Sequence, residues 1–194
     1  MTTSAIPDPH ASEGFLRRVT DVAPGILYVY DLADRRTVWA NQGLTTVLGY
    51  THEAIAAMGS AVLPMLVHPD DWPAYLRHAE RLAGLGDGEV AVLTYRMRCV
   101  DGSWRWLESR DMPFAREGDG RVRTIVGAAS DVTIAHDASE RLASRERFLR
   151  RITDVSPASL YVFDVEAGRN VWANRSLVDT LGYDRAALDT MGSS

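Results

Sequence analysis

From Glu89 to Thr133 apolar and polar residues alternate, and the alternation breaks at Asp101-Gly102 and again at Glu117-Gly118-Asp119-Gly120. Both breaks are strong turn signals, so the stretch predicts three successive antiparallel strands. In the first, Leu93, Tyr95, Met97 and Cys99 fall on one face and Thr94, Arg96 and Arg98 on the other, the pattern of a half-buried strand. In the second, Trp104 and Trp106 share a face with Glu108 and Arg110, and Leu107 and Ser109 take the opposite one. A two-residue Asp-Gly turn would set Met97 and Trp106 on the same side, whereas a loop one residue longer would set Leu107 there. The alternation alone leaves both registers open. The third strand turns Ile125, Gly127 and Ala129 to one face, where small side chains leave room for close packing or for a ligand. Packing is the preferred use.

The preceding residues must cover this sheet. Residues 1–12, rich in Thr, Ser, Pro and Ala, read as a poorly ordered tail. Phe15, Val19 and Val22 then form one stripe of a helix that Pro24-Gly25 stops. Ile26 to Leu32 and Thr37 to Ala40 read as a hairpin around Ala33 to Arg36, and Asn41 is placed to cap a short helix that Gly49 ends. Short helical pieces continue to Val67. A longer helix opens at His68-Pro69-Asp70-Asp71-Trp72-Pro73, with Asp70 as its cap and Pro73 where no amide proton is needed, and runs to Gly84. The order predicts an α+β domain over residues 13–133: a five-stranded antiparallel sheet with helices on one face.

The chain also repeats itself. FLRRVTDVAPGILYVYDLADRRTVWANQGLTTVLGY from Phe15 recurs from Phe148 as FLRRITDVSPASLYVFDVEAGRNVWANRSLVDTLGY, with roughly half the positions identical. Residues 148–194 therefore read as the N-terminal part of a second copy, without the long helix and meander. Two strands cannot bury an apolar face alone, so the expected state is a fragment of a longer protein, or a hairpin that pairs with another chain. Between the copies, Ile134, Ala138, Leu142, Leu149, Ile152 and Val155 are spaced by threes, fours and one longer gap, with Arg145 interrupting. Residues 134–155 predict a linker helix that either pairs with its twin as a coiled coil or docks on its own domain.

Composition narrows the function. A net charge of -5 argues against a nucleic-acid surface, and no apolar run is long enough to cross a membrane. Residues 1–10 lack the basic and apolar regions of a signal peptide, which makes the cytoplasm the expected compartment. Cys99 is the single cysteine, so neither an internal disulfide nor a cysteine-based zinc site is expected. All 21 basic residues are arginine, which excludes Schiff-base lysine chemistry.

His68-Pro69-Asp70-Asp71, Tyr95-Arg96, Asp101-Gly102-Ser103, Trp104-Arg105-Trp106, Gly127 and Asp131-Val132-Thr133 form an ordered set that resembles the PAS domain family of bacterial sensors, over roughly Phe15 to Thr133. The resemblance implies the same five-stranded fold and favours the longer-loop register, with Leu107 inward and Trp106 outward. It implies a pocket, for which Tyr95, Met97, Leu107, Ser109, Ile125, Ala129 and His78 are the candidates, and signal coupling through Asp131 and Thr133.

Some relatives place a haem-ligating histidine near His78, but Arg77-His78 on an amphipathic helix reads as a surface pair. Flavin photochemistry needs a cysteine on a helix and amides where Met97, Leu107 and Ala129 stand. No cofactor and no metal are therefore the expectation. Trp104 and Trp106, covered by Phe15 and Val19 or by a second subunit, are the interaction candidates. No transmitter domain, phosphate-binding loop or helix-turn-helix is found.

The expected function is a sensory and dimerising module of a sensor histidine kinase or cyclic-dinucleotide enzyme. It would form a homodimer, serve the parent's output domain, bind a small molecule at most, and have no catalysis of its own. The alternatives are a ligand-free dimer spacer, or a small-molecule enzyme using Asp111 or Asp131 as base.

Overall fold

The structure is a computed structural model that describes residues 20–174. The predicted tail, the helix through Phe15 and Val19 and the small helices of the second repeat lie outside the described residues. The chain divides into two units, residues 1–136 and residues 137–194, and each is described by itself.

The first unit runs β1 (Ile26–Asp31), β2 (Arg36–Ala40), α1 (Gly43–Leu48), α2 (His52–Met58), α3 (Val62–Leu66), α4 (Trp72–Ala83), β3 (Ala91–Arg98), β4 (Trp104–Arg116) and β5 (Val122–Asp131). The strands form one antiparallel sheet in the order β2-β1-β5-β4-β3, so the first and last strands meet at its centre and the helices span the gap between β2 and β3. Leu44, Leu48, Ile55, Val62 and Leu66 from the helices close over Ile26, Tyr95, Met97, Leu107 and Ala129 from the sheet, forming the core on one face. This is the expected α+β fold.

The register follows the longer loop. Tyr95 pairs with Leu107 and Arg96 with Trp106, and Leu107 is wholly buried. Cys99 N donates to Ser103 O at 2.8 Å across a loop whose last residue, Gly102, has a φ of 85° that favours glycine. Cys99 itself is buried, with Sγ 3.8 Å from the Val47 carbonyl, where the alternation suggested a half-buried residue.

One expected cap is used otherwise and the other does more than cap. A 3-10 turn over Pro69–Asp71 separates His68 from α4, and the His68 ring, not Asp70, caps it: Nδ1 accepts from Asp70 N at 3.2 Å. Asp71 then precedes α4 without a side-chain cap bond because its carboxylate is drawn to Arg96. Asn41 caps the start of α1 as expected, through the Gly43 amide, and its side chain also reaches beyond the helix. It is buried, and its Oδ1 accepts from Leu27 N at 2.9 Å and Gly43 N at 3.2 Å while its Nδ2 donates to the carbonyls of Thr20 (2.7 Å) and Gly25 (3.2 Å). One amide thus ties the segment before β1 to the segment after β2.

The helix α5 (Thr133–Val155) leaves β5 and continues into the second unit, which adds the hairpin β6 (Tyr161–Asp164) and β7 (Arg169–Ala173). This hairpin repeats the turn and tie bonds of the first. Asn174 Oδ1 accepts from Leu160 N at 3.0 Å, and its Nδ2 donates to the carbonyls of Thr153 and Ala158. Asp164 Oδ1 accepts from Glu166 N and Ala167 N as Asp31 Oδ1 does from Ala33 N and Asp34 N. Arg35 and Gly168 take the same left-handed turn position, with φ of 53° and 63°.

Candidate functional site

The core of the first unit encloses a cavity of about 70 Å³. Its apolar wall includes Ile26, Leu44, Leu48, Met97, Leu107 and Ile125, contributed by the inner face of the sheet and by α1. Its polar side gathers Tyr28 of β1, Ser109 of β4 and His78 of α4, and Asp111 on β4 lies at the centre. Asp111 is 2 % exposed. Its Oδ1 accepts from Tyr28 Oη at 2.5 Å, and its Oδ2 accepts from His78 Nε2 at 2.9 Å and Ser109 Oγ at 3.0 Å. Burying a carboxylate is expensive unless it is hydrogen-bonded, and three donors meet that requirement here.

The sequence makes this cluster possible by a local choice. Tyr28, Gly127 and Asp111 sit side by side on β1, β5 and β4. A Cβ at residue 127 would stand 2.3 Å from Asp111 Oδ1 and 2.4 Å from Tyr28 Cζ, so the side chains on either flank meet only because the middle residue has none.

Four tyrosines line the cavity: Tyr28, Tyr30, Tyr75 and Tyr95. Burial, then the neighbouring Tyr95 and Asp111, holds the Tyr28 phenol well above its ordinary range. Burial followed by the Asp111 charge does the same for Tyr95, and burial with the neighbouring Tyr95, Tyr30 and Asp111 for Tyr75. Tyr30 is pushed up to about 12, chiefly by burial. The phenols are thus neutral hydrogen-bonding groups.

All seven candidate pocket residues, Tyr95, Met97, Leu107, Ser109, Ile125, Ala129 and His78, line this one cavity. His78 departs from the surface pairing read for it: it is 7 % exposed, and its Nε2 is engaged by Asp111. That nitrogen is where haem ligation would occur, and the cavity is much smaller than a porphyrin or an isoalloxazine. Among the described residues no group of three or more His, Cys, Asp or Glu side chains is arranged to hold a metal ion. Reading by sequence missed Tyr28 as a pocket residue, and gave Asp111 only as a base. The signal for both was Gly127, whose neighbours across the sheet become visible only with the strand order.

On the opposite side of β4, Trp106 stacks on His136 at 3.9 Å between ring centroids and has the Arg96 guanidinium carbon 5.0 Å from its ring. Trp104 meets His68 edge-on at 4.6 Å. The tryptophans are therefore partly covered by this unit's own histidines and arginine; Phe15 and Val19 lie outside the described residues.

Asp131 and Thr133 close the sheet onto α5. Asp131 Oδ1 accepts from Thr133 N at 3.0 Å and Thr133 Oγ1 at 2.6 Å, and Asp131 Oδ2 pairs with Arg105. Trp106 N donates to Thr133 Oγ1 at 2.9 Å, and Val132 N donates to Trp106 O at 2.8 Å. Burial would raise the Asp131 carboxyl, but the bonds from Thr133 and Arg105 outweigh it and hold the group below its ordinary range.

A family model described as PAS fold matches residues 37–129, and one described as PAS domain matches residues 147–193. The two-component sensor PprA of Pseudomonas aeruginosa is 29% identical over 175 residues, covering 88% of this chain and 18% of that protein. This chain thus spans less than a fifth of that relative's length. Among solved structures, a sensory box histidine kinase/response regulator from Burkholderia thailandensis superposes with a TM-score of 0.56 at 21% identity, over 70% of this chain and 98% of that one. An RNA-binding light-oxygen-voltage receptor gives a TM-score of 0.54 at 25% identity, over 76% of this chain and 41% of that one.

Proposed function

This chain belongs to the PAS domain family, and from that premise we propose that it is a sensory and dimerising module of a bacterial signal-transduction protein, the parent being a sensor histidine kinase or a cyclic-dinucleotide enzyme. The observation that carries the reading is the double use of β4. Leu107, Ser109 and Asp111 line the cavity, and Arg105 and Trp106 on the same strand hold Asp131 and Thr133 at the root of α5. A small molecule that shifts β4 from within therefore acts on the root of the helix through contiguous, directional contacts.

The helix supplies the second half. Ile134, Leu142, Leu149, Ile152 and Val155 are all at least half exposed, a run of apolar side chains that a twin helix would cover. Dimerisation along this seam converts a change at one cavity into a change in helix pairing, with catalysis left to the parent's output domain. The cytoplasm is the compartment this role requires, and no helix among the described residues is long and apolar enough to cross a membrane.

The test is native mass spectrometry and absorption of freshly purified protein, with its mass in solution. The expected result is a dimer with a dissociable small molecule or a cavity that can be loaded. A dimer that refuses every small ligand supports the spacer role instead, and a monomer overturns the dimerising half.

A further inference from the structure

The cavity's lining has a charge imbalance that specifies what it takes. Among the described residues that line it, Asp111 is the one acid, none is an arginine, and His78 is the only base. His78 contributes a hydrogen bond that a neutral imidazole makes as well as a protonated one. Tyr28 and Ser109 are neutral donors to the same carboxylate. Four of the carboxylate's lone-pair sites exist in principle and three are engaged, which leaves one acceptor site on Oδ1. The rings of Tyr28, Tyr75 and Tyr95 line the same void, and aromatic rings favour cations. An anionic ligand would meet the Asp111 charge with no compensating arginine, a repulsion that low dielectric strengthens. The void of about 70 Å³ is roughly half the 150 Å³ that accepts benzene, so the occupant has only a few heavy atoms.

We propose that the cavity is a site for a small organic cation, a short-chain primary ammonium whose nitrogen sits against Asp111 and whose carbons lie among Met97, Leu107 and Ile125. This rests on the reading of the cavity as the sensory site and names its ligand class. The ammonium sets a full positive charge beside the buried carboxylate, and brings three N–H donors to share between Oδ1 and the phenol oxygens. The apolar wall limits chain length, because longer amines would have to displace core side chains.

The experiment compares ethylammonium chloride, ethanol and sodium acetate at matched ionic strength, reading the thermal unfolding midpoint of the 194-residue chain and the NMR cross-relaxation between the ligand's protons and tyrosine ring protons. Ethylammonium should raise the midpoint and show cross-relaxation, with ethanol weaker by about tenfold or more in apparent affinity and acetate inert. Asp111→Asn should abolish the preference for the amine. Where that variant folds poorly, cross-relaxation in the unmodified protein decides the matter, since it reports position directly. Equal binding of ethanol and the amine, or binding of acetate, overturns the cation assignment and leaves a sensory cavity of another class. Failure of all three to bind overturns this assignment, while the sensory reading falls only if the cavity also refuses the wider range of small ligands.

Discussion

Tyr28 and Asp111 belong to strands that do not touch, yet the phenol donates to the carboxylate at 2.5 Å across Gly127 of the strand between them. Two large polar side chains on either side of a residue with none is a packing solution that fixes the chemistry of the cavity. It makes Gly127 the position where a single methyl group tests the whole arrangement.

Gly127→Ala should therefore destabilise the first unit by about 1–3 kcal/mol, the usual consequence of overpacking, and should break the Tyr28–Asp111 bond. Denaturant unfolding measures the first effect and the tyrosine near-ultraviolet dichroism the second. Gly118 is the control, because nothing lies within 4 Å of a Cβ built there and its φ is not left-handed, so Gly118→Ala should leave both readings unchanged. Equal effects at the two positions would sink the packing argument.

Asn41 and Asn174 offer a comparison within one molecule. Each side-chain oxygen accepts from the amide of an equivalent leucine at the start of its hairpin, Leu27 or Leu160, and each nitrogen donates to two carbonyls of the preceding segment. Asn41→Ala leaves several buried backbone groups unpaired and should cost about 2–4 kcal/mol in the first unit. Asn174→Ala should lower hydrogen-exchange protection in β6 and β7 and leave the first unit's transition unmoved. Loss of protection in β1 and β2 on changing Asn174 would contradict the independence of the two ties.

Asp71 sets an acid limit on stability. The Arg96 side-chain bond holds its carboxyl below the ordinary range, with the Arg96 backbone bond and charge adding to it and burial opposing. A depressed folded-state value means the contribution is fully present above the unfolded value of about 3.9 and is lost as pH falls through the lower folded value. Asp71→Asn should thus lower stability at neutral pH by about 1–3 kcal/mol and converge on the parent protein at low pH. A deficit that persists unchanged in acid would show that the carboxylate's charge is not what matters.

These contrasts show what the sequence could disclose. The alternation from Glu89 to Thr133 and the turn residues fixed strand number and order along the chain, because a half-buried strand has a two-residue period that survives any partner. The inward positions of β3, β4 and β5 were legible for the same reason, and they line the cavity. The partnership of Tyr28 with Asp111 was not, since it depends on β1 inserting beside β5, a choice made by the whole sheet. His78 misled because α4 is half-covered: the helical period gives a face, but only the sheet below shows that this histidine points at a carboxylate. Asp70 misled because a 3-10 turn, which hydrophobic spacing does not encode, moved the helix start past it.

The apolar seam of α5 leads to a prediction about assembly. Leu149 and Ile152 are both at least half exposed and one helical turn apart. Replacing both with Asp adds two charges to each helix, four to a pair, without touching the first unit's core, so the solution mass should fall from dimer to monomer while the first unit's stability stays within about 0.5 kcal/mol of its original value. Sedimentation equilibrium across a concentration series reads this directly, and a persistent dimer would place the contact elsewhere, with the partly exposed tryptophan face next in line.

Thr133 bears on transmission itself. Its hydroxyl donates to Asp131 Oδ1 and accepts from Trp106 N, so one side chain joins the last residue of β5, the start of β4 and the first turn of α5. Thr133→Val keeps the shape but leaves the Trp106 amide without its acceptor and removes one bond from Asp131, a loss of about 1–3 kcal/mol concentrated at the helix root. Hydrogen exchange should accelerate at Trp106 and in the first turn of α5 while the cavity residues keep their protection. In the intact parent protein the same change, like Asp131→Ala, should reduce the response of output to input with the resting fold preserved. A variant with accelerated exchange and undiminished signalling would mean that the message leaves the sheet by another path, through Trp106 and its stacked partner His136 or through the dimer seam.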